Sequence, residues 1–423
     1  MKRSITFAGI LKTGFIVICL CILSVVLSKT AQAKTYTITP KTKPCDNAIK
    51  FHNYNKNTKQ YYMIRSYLMK IEKQKGGTLV IKKGTYNITN TLYVPSNTNI
   101  ILKKGAVLKK SQKSGPEVPA STSLLQFISS KNSTVYEVYG GHEGDHDISI
   151  TGSGVIDLNY INTAPKAAIG IIMGHNQNIK IEGITFKNMC FGHLIEMDAC
   201  KNVSIKNCTF TGFTPSGKFN KEAINLDTPD KDREGFNSMW SKKDKTPNED
   251  VTIENCIFDT LETGVGTHRY TGDAYHTGVK ILNNTFRNCQ TAIRIMNYKD
   301  LVITGNTFID CNPNERFNYV MFFAGLRGIN FSYNTFTGCG RVLEGQTGGP
   351  GGVPQNYLMQ FWWTFGYSAN QSLYEPITSE LTEDEAALFL TNTATNCGWM
   401  VVQAGRPLPY RVDFTEWYGI MGS

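Results

Sequence analysis

Six short lines decide the fold: NIKIEGITF (178–186), NVSIKNCTF (202–210), DVTIENCIF (250–258), GVKILNNTF (278–286), DLVITGNTF (300–308) and GINFSYNTF (328–336). Each ends on a phenylalanine, and the steps between successive phenylalanines are 24, 48, 28, 22 and 28 residues. A repeat in this range marks a stacked architecture. Within each line the apolar residues sit seven and five places before the phenylalanine: Ile179/Ile181, Val203/Ile205, Val251/Ile253, Val279/Ile281, Leu301/Ile303 and Ile329/Phe331. That period of two belongs to strands, and no period of 3.6 competes with it. Asn207, Asn255 and Asn283, three places before the phenylalanine, suit tight corners. Like strands stacked coil on coil give an all-β chain, a parallel β-helix. The step of 48 is twice 24, so one coil carries an insertion or a degenerate turn.

The rest of the chain is organised around this solenoid. Positive Lys2, Arg3 and Lys12 precede a short apolar run and a small-x-small site at Ala31–Ala33, which reads as a secretory signal over 1–33. The run is too short for a retained span. The expected location is therefore secreted or cell-surface. Residues 34–110 read as an N-terminal cap and first coils, with Ile64, Tyr67, Leu68 and Ile71 at helical spacing. The solenoid follows over 111–346, with insertions at 112–146 and 228–249. Residues 347–423 hold four of the five tryptophans and read as a C-terminal cap rather than a separate sugar-binding module. The caps are needed because a solenoid otherwise exposes its end coils.

Composition narrows the function. Removing the four cations of the signal, Lys2, Arg3, Lys12 and Lys29, takes the net charge from +10 to +6. A basic exported protein suits an acidic polymer such as a polyuronate or teichoic acid. No nucleic-acid motif is present. Nine cysteines follow the signal, without a CxxC pair. Cys208 and Cys256 share one repeat position, and Cys289, Cys311 and Cys339 another. They are expected as buried free thiols in ladders, not disulfides or zinc ligands.

The passage GGTLVIKKGTY…LYVPSNTNIILKKGAVL (76–108), the turn GSGVIDLN (152–159) and the coils after it resemble the right-handed parallel β-helix proteins of the pectate-lyase and polygalacturonase kind. The resemblance covers residues 60–346. It implies a right-handed helix and a polysaccharide partner, but the scaffold hosts several chemistries.

The remaining strand of each coil carries the candidate chemistry. HLIEMDA (193–199), EAINLDT (222–228), TGVGTHR (263–269) and TAIRIMN (291–297) align on the inward pairs Ile195/Met197, Ile224/Leu226, Val265/Thr267 and Ile293/Ile295. Their alternates then form outward columns: Glu196, Asn225, Gly266, Arg294, and Asp198, Asp227, His268, Met296. His193 and Glu222 make a third. Polygalacturonase-type enzymes place acids, a histidine and an Arg-x-Lys strand on successive coils. Asp198 and Asp227, His268 and Arg294 follow that order, but Leu226, Thr267 and Met296 depart from the pattern.

The resulting expectation is a glycoside hydrolase with Asp227 as general acid, Asp198 or Glu196 activating water, and His268 tuning the acid. Arg294, Glu222, Arg269, His276 and Trp240 are the substrate-binding candidates. No metal or organic cofactor is implied. The rivals are a polysaccharide lyase, for which Ca²⁺ would be the cofactor, and a non-catalytic carbohydrate-binding adhesin. The site is expected as one groove on the outer face of coils 193–297, where Asp198, Asp227, His268 and Arg294 converge, walled by the 228–249 insertion.

Overall fold

The computed structural model describes residues 34–115, 119–160, 168–214, 221–232, 235–236, 238–267, 269–312 and 320–340, with short segments at 343–344, 384–385, 388, 391–395, 400–403 and 411–413. The expected signal, most of the expected C-terminal cap and His268 lie outside them.

Strands stack in parallel, coil on coil, into a 17-stranded and a 10-stranded sheet. The smaller sheet forms one face of the solenoid and carries the phenylalanines. Phe186, Phe210, Phe258, Phe286, Phe308 and Phe336 are paired residue for residue. Their rings are fully buried and stack at 4.5–5.0 Å with 5–8° between planes. Phe210 and Phe258 are 48 residues apart in sequence yet neighbours at 4.8 Å. The doubled step is thus one coil with an insertion.

The position three before each phenylalanine is left-handed in every line: Gly183, Asn207, Asn255, Asn283, Gly305 and Tyr333 have φ between 54° and 76°. Asparagine and glycine tolerate that conformation, which turns the chain between faces. The next position is buried. It holds Cys208 and Cys256, then switches to Asn284, Asn306, Asn334 and Asn392. Each of these amides donates to the neighbouring amide oxygen or a backbone carbonyl, as in Asn306 Nδ2 to Asn334 Oδ1 at 2.9 Å and to Ile281 O at 2.9 Å. The sequence pattern does not mark this amide ladder. The five ladder cysteines are free and buried.

The helix Lys59–Lys73 lies at the N-terminal end. Its Met63, Ile64, Leu68 and Ile71 join the solenoid core. The strand Thr35–Ile38 pairs with Gly77–Ile81 beside it. One expected insertion is not wholly a loop. Within 112–146, Ser123–Gln126 is a strand of the stack, in register with Leu92–Tyr93 and Ile169–Gly174. Its Leu124, Leu125 and Phe127 are fully buried, an apolar run too short to stand out by period. At the far end Thr393–Thr395 continues the ladder beyond Thr335–Thr337. Among the described residues no helix is long and apolar enough to cross a membrane.

Candidate functional site

The strands Ile195–Asp198, Glu222–Asp227, Thr263–Gly266 and the start of Thr291–Thr304 lie side by side in the expected register. Ile195 pairs with Ile224, Val265 and Ile293 in turn. Glu196 therefore neighbours Asn225, then Gly266 and Arg294, while Asp198 stacks directly on Asp227. Backbones on adjacent coils are ~4.8 Å apart.

At the start of these strands the alternation breaks. Leu194 and Ile195, Ala223 and Ile224, Ala292 and Ile293 are consecutive pairs that both enter the core. Gly264 takes the same place beneath the phenylalanine column. A Cβ there would come within 2.8 Å of the Phe286 ring and 2.6 Å of Ala292 O. The bend turns the preceding His193 and Glu222 outward. Glu222 joins its neighbours through Oε1, 3.5 Å from Arg294 Nη1, and Oε2, 3.6 Å from His193 Nδ1. His193 Nδ1 also lies 2.9 Å from Glu222 O, to which it donates.

The 228–249 insertion walls this face as expected, and the polar side chains beneath are buried rather than exposed. Asp198 and Glu222 are fully buried, Asn225 and Asp227 are 1% exposed and Arg294 is 7% exposed. Glu196 and Arg269 are half-buried. Two segments cover the face. The 228–249 insertion brings Phe236 and Trp240 down onto Gly174, the partner of Asp198 on the preceding coil. A side chain at Gly174 would meet both rings at 2.6 Å, so glycine is what lets them seat. Residues 269–274 close the other side. Arg269 N–H donates to Asp227 Oδ1 at 2.9 Å, Thr271 Oγ1 donates to Asp230 Oδ2 at 2.6 Å, and Asn297 Nδ2 holds the Thr271 and Ala274 carbonyls.

Two expected sugar-binding residues are structural instead. Trp240 is 2% exposed and packs among Phe236, Tyr139 and His175, where it cannot present a face to a sugar. It anchors its loop, with help from His175 Nε2, which accepts from Ser241 Oγ at 2.7 Å. His276 is fully buried at an interior corner, in one column with Asn248 and Tyr298. Its Nδ1 accepts from Asn248 N at 2.9 Å, and burial pushes its pKa from 6.5 down to about 3. Asn248 in turn ties the Met197 and Asp227 carbonyls together, so this corner positions the acid-bearing strands.

The acids themselves are the chemical feature. Asp198 has no hydrogen-bond partner on either carboxyl oxygen among the described residues. Burial first, then the charges of Glu196 and Asp227, hold its pKa well above the ordinary 3.8. Asp198 therefore keeps its proton at a pH where an exposed aspartate has lost it. Beside this acid column, Tyr270 and Met296 form a small apolar cluster with Phe322, a feature that alternation alone does not single out. Among the described residues no group of three or more His, Cys, Asp or Glu side chains is arranged to hold a metal ion.

A family model described as "Right handed beta helix region" matches residues 146–351. The chain folds as a right-handed parallel β-helix. It is similar to plasmin and fibronectin-binding protein A of Streptococcus pneumoniae, with 28% identity over 58% of this chain. The match spans 36% of that relative's length. The crystal structure of PfbA, a surface adhesin of Streptococcus pneumoniae, superposes with a TM-score of 0.51 at 22% identity, covering 66% of this chain and 69% of that one. A polygalacturonase from Erwinia carotovora ssp. carotovora gives a TM-score of 0.42 at 12% identity, covering 75% and 81%.

Proposed function

We propose that this chain is a secreted or cell-surface glycoside hydrolase acting on a polysaccharide through the Asp198–Asp227 column. The observation that carries the reading is the stacking of two buried carboxyls, one of them with no hydrogen-bond partner among the described residues. Such an arrangement costs stability, because a buried polar group without a partner is unfavourable and like charges repel. A purely structural strand would replace it with apolar residues. Paired carboxyls of unequal acidity are what glycosidic cleavage uses.

In this mechanism the pair shares a proton at a pH where an exposed aspartate has lost its own. The pair titrates as a unit, with the proton resting on Asp198 and Asp227 fixed by the Arg269 N–H. That proton passes to the leaving glycosidic oxygen as the bond to the anomeric carbon breaks. Glu196, the most exposed acid of the group, takes a proton from the attacking water. Arg294, held by Glu222, and His193 brace the cluster. The proton-holding role thus falls on Asp198 more than on Asp227, opposite to the order that the spacing suggests.

The similarity to a surface adhesin favours a second reading, in which the same face binds a partner without turnover. The two separate in one experiment. The purified chain is incubated with a polysaccharide panel, and reducing ends and unsaturated products are assayed together. Hydrolysis gives reducing ends without ultraviolet absorbance, and a lyase gives both. Asp198→Asn is expected to fold and to lower turnover by about 10²–10⁴, the usual worth of a positioned acid or base. Wild-type turnover in that variant would remove the acid column from the mechanism. Binding without turnover by the parent would make the adhesin reading the better one.

A further inference from the structure

We infer that the N-terminal end of the solenoid is a docking surface for a linear polyol-phosphate chain, a polymer of the teichoic acid type. No residue of the acid column takes part, so the inference stands apart from the hydrolase reading. The charge of the chain is sharply divided. Residues 34–113 hold 17 lysines and arginines against two acids, whereas 114–423 hold 23 against 32. Fourteen lysines of the first stretch are exposed. Among the described residues none of these is ion-paired, while on later coils Lys180, Lys201 and Lys206 meet Glu182, Glu249 and Glu254 at 2.7 Å. The two acids of the basic end are committed elsewhere. Asp46 accepts from the Ala48 N–H at 2.9 Å, and Glu72 accepts from the Ser130 N–H at 3.1 Å.

Register concentrates this charge at one corner. Ile81 pairs with Leu102 and Gly84 with Ala106, which sets Lys82–Lys83 beside Lys103–Lys104 on adjacent coils. The backbones there are ~4.8 Å apart. Lys83 lies across Gly105, where a Cβ would come within 2.9 Å of its side chain. Lys41 adds a cation on the preceding turn, next to Pro40, which packs on Gly84. On the following coil the corner changes to Ser153, whose N–H donates to Leu102 O at 3.0 Å. Like charges opposite one another weaken strand pairing, and a bridging anion would reverse that effect.

The make-up of the surface selects among polyanions. All its exposed cations are lysines, which meet phosphate as point charges, whereas carboxylates favour the arginine fork. The one arginine of the stretch, Arg65, lies over the Phe51 ring at 5.9 Å. Nucleic acid would need exposed rings on which to stack its bases. The lysine pairs are flanked by Ile81, Gly84, Leu102 and Gly105, and the nearby Tyr86 is fully buried. A flat anionic membrane would meet one plane of charge. These lysines turn an edge instead, from Lys59 and Lys73 on the end helix to the two pairs down the side of the coils. A flexible chain with only hydroxyls between its phosphates can follow that edge.

The test titrates the full chain into end-labelled poly(glycerol phosphate) and reads fluorescence anisotropy over a range of salt. Binding is expected, with a slope of log K on log salt of about −4, as for about six neutralised phosphates on a flexible strand. K82Q/K83Q/K103Q/K104Q should weaken binding about tenfold or more and make the slope shallower by about 3. Should that variant fold poorly, Lys59→Gln with Lys73→Gln should move both readouts in the same direction. K180Q/K201Q/K206Q removes cations from later coils and should leave affinity within about threefold. Failure of the parent to bind, parental affinity in the corner variant, or an equal loss in the later-coil variant overturns the inference. So does tighter binding, at equal charge, to phosphatidylglycerol vesicles, polygalacturonate or single-stranded DNA. Asp198→Asn should bind the polymer as the parent does, so docking and hydrolysis can fail separately.

Discussion

Two columns of this solenoid are built by the same rule and have opposite energetics. In both, one residue type stacks on its own kind from coil to coil. On the phenylalanine face the rule is favourable: six buried rings lie at 4.5–5.0 Å in near-parallel contact. On the acid face it places Asp198 on Asp227, where burial and like charge oppose ionisation. The amide ladder shows a third outcome, in which stacked polar groups satisfy one another. A repeat fold therefore separates residues kept for stability from residues kept at a cost. Where a ladder gains nothing by stacking, chemistry is the better account of it.

Variants of the two columns should respond with opposite sign. Phe258→Ala, in mid-column, should lower the unfolding free energy by about 3–5 kcal/mol, through lost burial and a cavity. Chemical denaturation measures this, and a loss below about 1 kcal/mol would mean that the column is not the spine of the fold. Asn306→Ala should cost about 1–3 kcal/mol, because it strands the Asn284 N–H and the Ile281 carbonyl.

Asp198→Asn should instead stabilise, and the gain should depend on pH. A carboxyl whose folded pKa is raised binds protons more tightly in the native state. Its contribution is therefore full below the ordinary 3.8 and is lost as pH rises toward the folded value. The variant lacks that loss, so its advantage over the parent should grow as pH rises above the ordinary 3.8. The growth should be about 1.4 kcal/mol for every tenfold by which folding weakens the acidity of Asp198. Thermal midpoints across that range read it. A constant difference would show that Asp198 ionises normally.

The smallest effect is a labelling one. Cys208, Cys256, Cys289, Cys311 and Cys339 should resist alkylation in the native chain and react on unfolding, since all are buried and free. Exposed Cys45 should react in both states and serves as the internal control.

The spine of the fold was legible because it is local and repeated. The apolar pairs and the phenylalanine recur with a fixed spacing, so the register of Ile195, Ile224, Val265 and Ile293 could be read off without coordinates. The 228–249 wall could be placed as well, but not which of its side chains turn inward, because their contacts are distant in sequence. Trp240 reaches Gly174 and His175 from within the long insertion, and nothing in its own neighbourhood says whether it points to solvent or inward. His276 was misplaced for a related reason. Its strand is only His276–Thr277, too short to reveal a phase, and the corner turns it inside. Glu222 shows the complementary case. Strict alternation from Ile224 would bury it among apolar residues, but the bend at Ala223 sends it to Arg294 and His193.

The neighbouring rings of Phe210 and Phe258 have one more consequence. Forty-eight residues of chain separate them, yet their centroids are no farther apart than those of Phe186 and Phe210, which are 24 residues apart. The solenoid thus acts as a ruler whose graduations ignore how much chain is looped out between marks. The wall that carries Trp240 could be exchanged like a cassette, for a longer or shorter one, while the acids beneath it kept their heights.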